Sequence, residues 1–178
     1  LLNGAKMWIS NALVADIAVV WAKDETGRIH GLIVERGMEG FTTPETHNKW
    51  SLRASATGEL VFNNVKVPKE NLMPGKSGLG APMQCLDSAR YGIAWGAIGA
   101  AMDCYDSALR YSKERIQFGK PIASFQLTQK KLAEMITEIT KAQLLSWRLG
   151  VLKNTHKATP QQISMAKRNN VHIALQIA

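Results

Sequence analysis

Cysteine is scarce. Cys85 and Cys104 are the only two. They form no CxxC, and on one continuous helix they would lie about 28 Å apart and face different ways. A disulfide scaffold and a thiolate metal centre are therefore excluded, and both residues read as buried thiols of a reducing compartment. The 4 histidines are scattered and no HExxH occurs, so no metal ligands are assigned. No window approaches the roughly 20 uncharged apolar residues of a transmembrane helix. The first ten residues lack the basic, apolar, small-residue order of a signal peptide. The expectation is a soluble protein with no membrane partner. GxSxG, P-loop and GxGxxG patterns are also missing, which removes the common hydrolase, nucleotidase and dinucleotide-fold readings.

Acidic residues become scarce in the second half. Residues 1–75 balance eight Lys/Arg with eight Asp/Glu, whereas residues 76–178 carry fourteen against six and so hold the whole net charge of +8. A basic half of this kind could meet nucleic acid, the phosphates of a small molecule or an acidic partner protein. The charges are spread at helical spacing without Lys/Arg runs or interleaved aromatics. That pattern favours a solvated helix surface with a few phosphate contacts over nucleic acid.

The same boundary separates two styles of sequence. Before it come KMWIS, IAVVWAK, HGLIVER after the turn DETGR, and ELVFNNVKV. These are β-branched or aromatic-rich runs bounded by Gly, Asn or Asp, and they predict an antiparallel β unit over residues 1–75. PGKSGLGAP then reads as a linker. Residues 76–178 read as helical: one long helix from Met83 to about Gln117, a second from Ser124 to about Leu152, and a third opening at the N-cap pair Thr159-Pro160. Gly92, Gly96 and Gly99 mark a face of the first helix that another helix could approach closely. The fold class expected is α+β, an antiparallel β domain followed by an antiparallel helical bundle. LLNG reads as a strand entering an Asn-Gly hairpin turn with little before it, and ALQIA stops within a helical pattern, so the fold is expected to be incomplete at both ends.

KMWISN, SLRASATGELVFNNVKVPKENLMPG, SARYGIAWG, ERIQFGKPIASFQ and QKKLAEM occur in this order over essentially the whole chain. Together they resemble the acyl-CoA dehydrogenase family. KWSLRASATGE, ARYGIAWG, QKKLAEMITEIT and AKRNN are most similar to its glutaryl-CoA dehydrogenase branch. The resemblance implies FAD as cofactor, an acyl-CoA substrate, electron-transfer flavoprotein as electron acceptor, and a homotetramer whose FAD is shared between subunits. It implies a location in the bacterial cytoplasm or the mitochondrial matrix. The reaction implied is oxidative decarboxylation of glutaryl-CoA to crotonyl-CoA and CO2. Other branches on the same fold are short-chain acyl-CoA dehydrogenases and acyl-CoA oxidases, and a non-catalytic flavin or acyl-CoA binder is the alternative from a different class.

Carried over residue by residue, the resemblance puts Trp8, Ile9 and Ser10 beside the flavin ring, Ser10 standing where the family has Thr and keeping the hydroxyl near N5. Without it, Trp8 reads as a strand core residue. Arg115, Phe118 and Gln126 are implied to reach the FAD of a neighbouring subunit, Arg115 toward the pyrophosphate and Phe118 against the adenosine side. A cation at the negative end of a helix accounts for Arg115 in part and leaves Phe118 unexplained. Residues 83–90 (MQCLDSAR) match the stretch lining the acyl-CoA channel, with Met83, Asp87, Arg90 and then Tyr91 as substrate contacts. An i,i+3 surface pair is the plainer account of Asp87 and Arg90. The catalytic base, a carboxylate, is expected beyond Ala178. Some branches place it immediately before the channel Arg, and here that residue is Ala89.

Overall fold

The computed structural model describes the backbone of residues 1–178 and every side chain except that of Lys76. The chain divides into two compact units, Leu1–Pro82 and Met83–Ala178.

The first unit holds six antiparallel strands: β1 (Leu2–Ser10), β2 (Ile17–Lys23), β3 (Ile29–Glu35), β4 (Phe41–Thr42), β5 (Thr57–Val65) and β6 (Leu72–Ser77). They form two sheets, ordered β1-β5-β4 and β2-β3-β6. Alternation of side chains sends Leu60 and Phe62 of β5 inward, and Val65 joins them after an irregularity at Asn63-Asn64; with Val20, Val34, Leu2 and Ala12 they make one core fed by both sheets. Phe41 stacks on Phe62 at 5.1 Å between ring centroids. The β2–β3 turn is built by Asp24, whose carboxylate accepts from the backbone N–H groups of Thr26 and Arg28 and from the Thr26 hydroxyl. The Thr26 hydroxyl and the His30 ring, 2.8 Å from the other carboxylate oxygen, hold the Asp24 carboxyl well below the usual carboxylate range.

Two readings of this half are corrected. Asn3-Gly4 is not a hairpin turn: β1 runs straight through it, and Asn3 instead bridges to Asn64, its Oδ1 accepting from the Asn64 backbone N–H at 2.8 Å. Most of the segment read as a linker is structured, because Leu72–Ser77 pairs with β3 and helix α1 opens at Gly80.

The second unit is helical. Helix α1 (Gly80–Glu114) is followed by a small hairpin, β7 (Ile116–Gln117) and β8 (Lys120–Pro121), then α2 (Gln126–Asn154) and α3 (Pro160–Ile177). The packing gives the directions. Ala94 of α1 meets Leu149 of α2 with Ile163 and Ala166 of α3, while further along α1 Ile98 and Ala101 meet Ile139 and Ala142, with Ala174 and Ile177. Residue numbers rise together in α1 and α3 and fall in α2, so α2 runs antiparallel to both, and α1 and α3 lie parallel to each other. Thr159 closes the start of α3 as a capping box, its hydroxyl accepting from the Gln162 N–H and its own N–H donating to the Gln162 side chain. Among the described residues no helix is long and apolar enough to cross a membrane.

Gly92, Gly96 and Gly99 have open space where a Cβ would stand, so among the described residues nothing approaches that face. The thiol reading is also corrected. Cys85 is exposed and Cys104 half-buried, because Cys85 lies on the side of α1 away from the stripe that packs on α2 and α3.

Candidate functional site

The end of β1 is shaped by a bulge. Lys6 faces Leu60 and Ile9 faces Gly58, so β1 has one more residue than β5 over that interval. Trp8 absorbs the irregularity in a left-handed conformation, φ 62°, which is costly for a bulky residue. Its indole is 63% exposed, so Trp8 is not a core residue of the sheet. Ile9 turns inward against the core, and Ser10 is exposed at the strand end. The turn after Ser10 is held by Arg36, whose guanidinium donates to the backbone carbonyls of Ala12 and Ala15, each at 2.7 Å. Lys6 donates from Nζ to the carbonyl of Trp21 at 2.9 Å. These side chains line a cleft of about 370 Å³ with Ile9, Ser10 and Leu60. Gly58 is required opposite Ile9, since a Cβ there would lie 2.6 Å from the carbonyl of Pro44.

In α1, Asp87 and Arg90 form an ion pair at 2.9 Å with side chains 19% and 33% exposed. Because α1 begins at Gly80, three residues before the Met83 start expected from sequence, this pair sits about two turns inside the helix. Met83 lies one turn earlier, at the surface. Tyr91, on the same side of α1, points inward: its ring packs on the Ala94–Leu149–Ile163–Ala166 cluster. Ala89 is exposed on the same turn and offers no ionisable group.

The long helix stops at Glu114, earlier than its apolar pattern suggested, because the next residues form the β7–β8 hairpin. Its two turn residues, Phe118 (φ 52°) and Gly119 (φ 76°), are both left-handed, the requirement of a tight two-residue hairpin turn. Gly adopts that conformation freely and Phe does not. Phe118 is 86% exposed, with only an edge contact to Phe125 at 6.3 Å between centroids. Lys120 lies over the Phe125 ring, Nζ 4.5 Å from its centroid. The Arg115 backbone is fixed, donating to Tyr111 O and accepting from Ile122 N, each at 2.9 Å. Its guanidinium has no ion-pair partner among the described residues. Gln126 is exposed as the first residue of α2. Arg115, Phe118 and Gln126 thus belong to one local motif, a helix end, a hairpin and a helix start. Sequence reading missed Phe125 and Lys120, although the aromatic beside Gln126 in ASFQ was the available signal. It also missed Lys6 and Arg36 beside Ser10.

Residues 1–65 match the middle-domain model of acyl-CoA dehydrogenases and residues 76–178 the C-terminal-domain model. The chain belongs to the acyl-CoA dehydrogenase family. Crystal structures of glutaryl-CoA dehydrogenase from Mycobacterium smegmatis, one of them in complex with FADH2, are similar to it at 48% and 47% identity, each with a TM-score of 0.95, over 98% of this chain and 45% of theirs. Glutaryl-CoA dehydrogenase of Desulfococcus multivorans is 42% identical over 86% of this chain and 41% of its own. The mitochondrial short-chain specific acyl-CoA dehydrogenase of Rattus norvegicus is 38% identical over 93% of this chain and 42% of its own. The chain therefore spans less than half the length of these relatives.

Among the described residues no group of three or more His, Cys, Asp or Glu could hold a metal ion. What the local motifs offer is different: an exposed indole and an exposed hydroxyl at one strand end, an exposed ring on a strained turn in the same motif as a guanidinium without an ion-pair partner among the described residues, and a half-buried Arg–Asp pair. Flat aromatic surface with a fork of donors suits a nucleotide carrying phosphates.

Proposed function

We propose that the whole protein is an FAD-dependent acyl-CoA dehydrogenase whose substrate is glutaryl-CoA, oxidised and decarboxylated to crotonyl-CoA and CO2. The observation that carries the substrate is the higher identity to two glutaryl-CoA dehydrogenases than to the short-chain enzyme.

The residues present fit FAD on two grounds. Phe118 holds an exposed ring at a cost in backbone strain, and Arg115, three residues before it at the helix end, has no ion-pair partner among the described residues. Nothing in the chain's own packing requires either. In this reading Arg115 pairs with the pyrophosphate, Phe118 faces the adenosine and Gln126 completes the contact, all toward the FAD of a neighbouring subunit of a homotetramer. Trp8 covers the flavin ring and Ser10 offers its hydroxyl to the ring, while Ile9 anchors the strand that carries both. Bound FAD supplies the hydride acceptor for the substrate's β carbon.

Arg90 binds the CoA portion, charge-assisted hydrogen bonds running to its polar groups, and Asp87 both holds the guanidinium and accepts from the pantetheine chain. Met83 lines the same channel. Ala89 cannot take a proton, so the proton alpha to the thioester passes to a carboxylate outside these residues. Electrons leave to electron-transfer flavoprotein, in the bacterial cytoplasm or the mitochondrial matrix. The test is turnover of the full-length protein with carboxyl-labelled glutaryl-CoA. Labelled CO2 released in proportion to crotonyl-CoA is expected. Glutaconyl-CoA as the final product would rule out the decarboxylating reading.

A second reading, a short-chain acyl-CoA dehydrogenase acting on monocarboxylic thioesters, is favoured by the likeness to the rat enzyme over nearly the whole chain. It predicts preference for butyryl-CoA and no CO2.

A further inference from the structure

Asp87, Arg90, Tyr91, Ala94, Ile98 and Ala101 follow one another at helical spacing and share one side of α1. From Ala94 onward that side is buried against α2 and α3. Asp87 and Arg90 therefore continue a packed stripe, and their placement depends on how the stripe is rotated and seated.

Two contacts fix the seating within one turn of Arg90. Asn170 of α3, only 1% exposed, donates from Nδ2 to the Ala94 carbonyl at 3.0 Å and to the Ser146 hydroxyl of α2 at 2.8 Å. Its Oδ1 accepts from Asn169 Nδ2 at 3.1 Å. One buried amide thus joins all three helices, and a purely apolar contact would bring them together without fixing rotation in this way. The second contact is Tyr91, whose hydroxyl occupies a notch at Gly150 of α2, where a Cβ would lie 3.0 Å from it. Lys153 Nζ, also of α2, stands 5.0 Å from the Tyr91 ring centroid.

We propose that Tyr91, Gly150 and Asn170 are positioning residues for the acyl-CoA site, seating α1 so that Asp87 and Arg90 face the CoA thioester, with Tyr91 acting through its packing and not by touching the acyl group. This rests on Arg90 being a CoA contact.

The test uses the full-length holoenzyme, with butyryl-CoA and crotonyl-CoA as probes in anaerobic equilibrium titrations and flavin content and melting temperature measured alongside. Gly150→Ala favours the helix and should not lower the melting temperature. Its added methyl pushes the Tyr91 ring by a few tenths of an ångström. Partial weakening of Arg90's charge-assisted contacts should raise the thioester Kd about 3-fold to 10-fold at unchanged flavin content. Tyr91→Phe in the Gly150→Ala background removes the atom that the methyl meets and should restore the Kd. Asn170→Ala should raise Kd, whereas Ile139→Val, a core truncation at the other end of the bundle, should not do so at a comparable loss of melting temperature. Wild-type affinity in Gly150→Ala, failure of Tyr91→Phe to restore it, or equal effects of Asn170→Ala and Ile139→Val would overturn the positioning role. If the wild-type protein binds neither thioester, the functional reading itself falls.

Discussion

Replacing Phe118 by Gly separates cofactor binding from folding, because the structure makes the two effects oppose each other. Phe118 sits at φ 52° and is 86% exposed. Gly relieves a left-handed strain of about 1–2 kcal/mol. The loss on folding is the edge contact with Phe125, about 0.5–1.5 kcal/mol. The net change in stability should therefore lie within about 1 kcal/mol of zero. If the ring stacks on the adenosine of FAD, its removal costs about 1–3 kcal/mol, the range for a base on an aromatic side chain. That is roughly a 5-fold to 150-fold rise in Kd for FAD. Flavin-fluorescence titration of the full-length apoprotein reads the second quantity and urea unfolding the first. Phe118→Ala should lose the same FAD affinity while keeping the strain, and so be less stable than Phe118→Gly. A Phe118→Gly protein that binds FAD like wild type but unfolds at markedly lower urea would refute the reasoning and return Phe118 to a structural role.

Arg36→Lys should destabilise the first unit by about 1.5–3 kcal/mol, since one ammonium cannot reproduce the fork to Ala12 and Ala15; an unchanged urea midpoint would contradict this. Gly40→Ala drives a methyl into the Asn63 carbonyl at φ +81° and should cost more than about 1 kcal/mol, read from the same transition; tolerance would mean that β5 yields at this point. Asp24 titrates below its unfolded-state value, so its contribution is complete above the ordinary carboxylate range and is lost as pH falls below about 4. In Asp24→Ala the stability profile should be flatter through that acid window, and an identical acid limb in both proteins would remove the turn from the pH response.

The β unit was legible because its strands alternate and its turns carry Gly and Asp, and α3 because Thr159-Pro160 is a strong start signal. Illegible were features decided by contacts distant in sequence. β6 forms from a Gly- and Pro-bearing stretch because β3 offers a partner edge. The helix end at Glu114 is set by the β7–β8 hairpin, whose turn places Phe where a Gly, Asn or Asp is the usual choice. The bulge that exposes Trp8 depends on the register with β5, which the run KMWIS does not encode by itself. The candidate residues were found through motif resemblance. The geometry then distinguished Trp8, Ser10, Arg115 and Phe118, which stand open, from Ile9 and Tyr91, which pack inward.

The central claim is most directly tested by mixing the full-length holoprotein anaerobically with glutaryl-CoA and, separately, with butyryl-CoA, following flavin absorbance and identifying the products. The account predicts bleaching with glutaryl-CoA and stoichiometric crotonyl-CoA and CO2. Bleaching with butyryl-CoA alone would contradict the assigned substrate and leave a short-chain dehydrogenase, and no bleaching with either thioester would contradict the dehydrogenase itself.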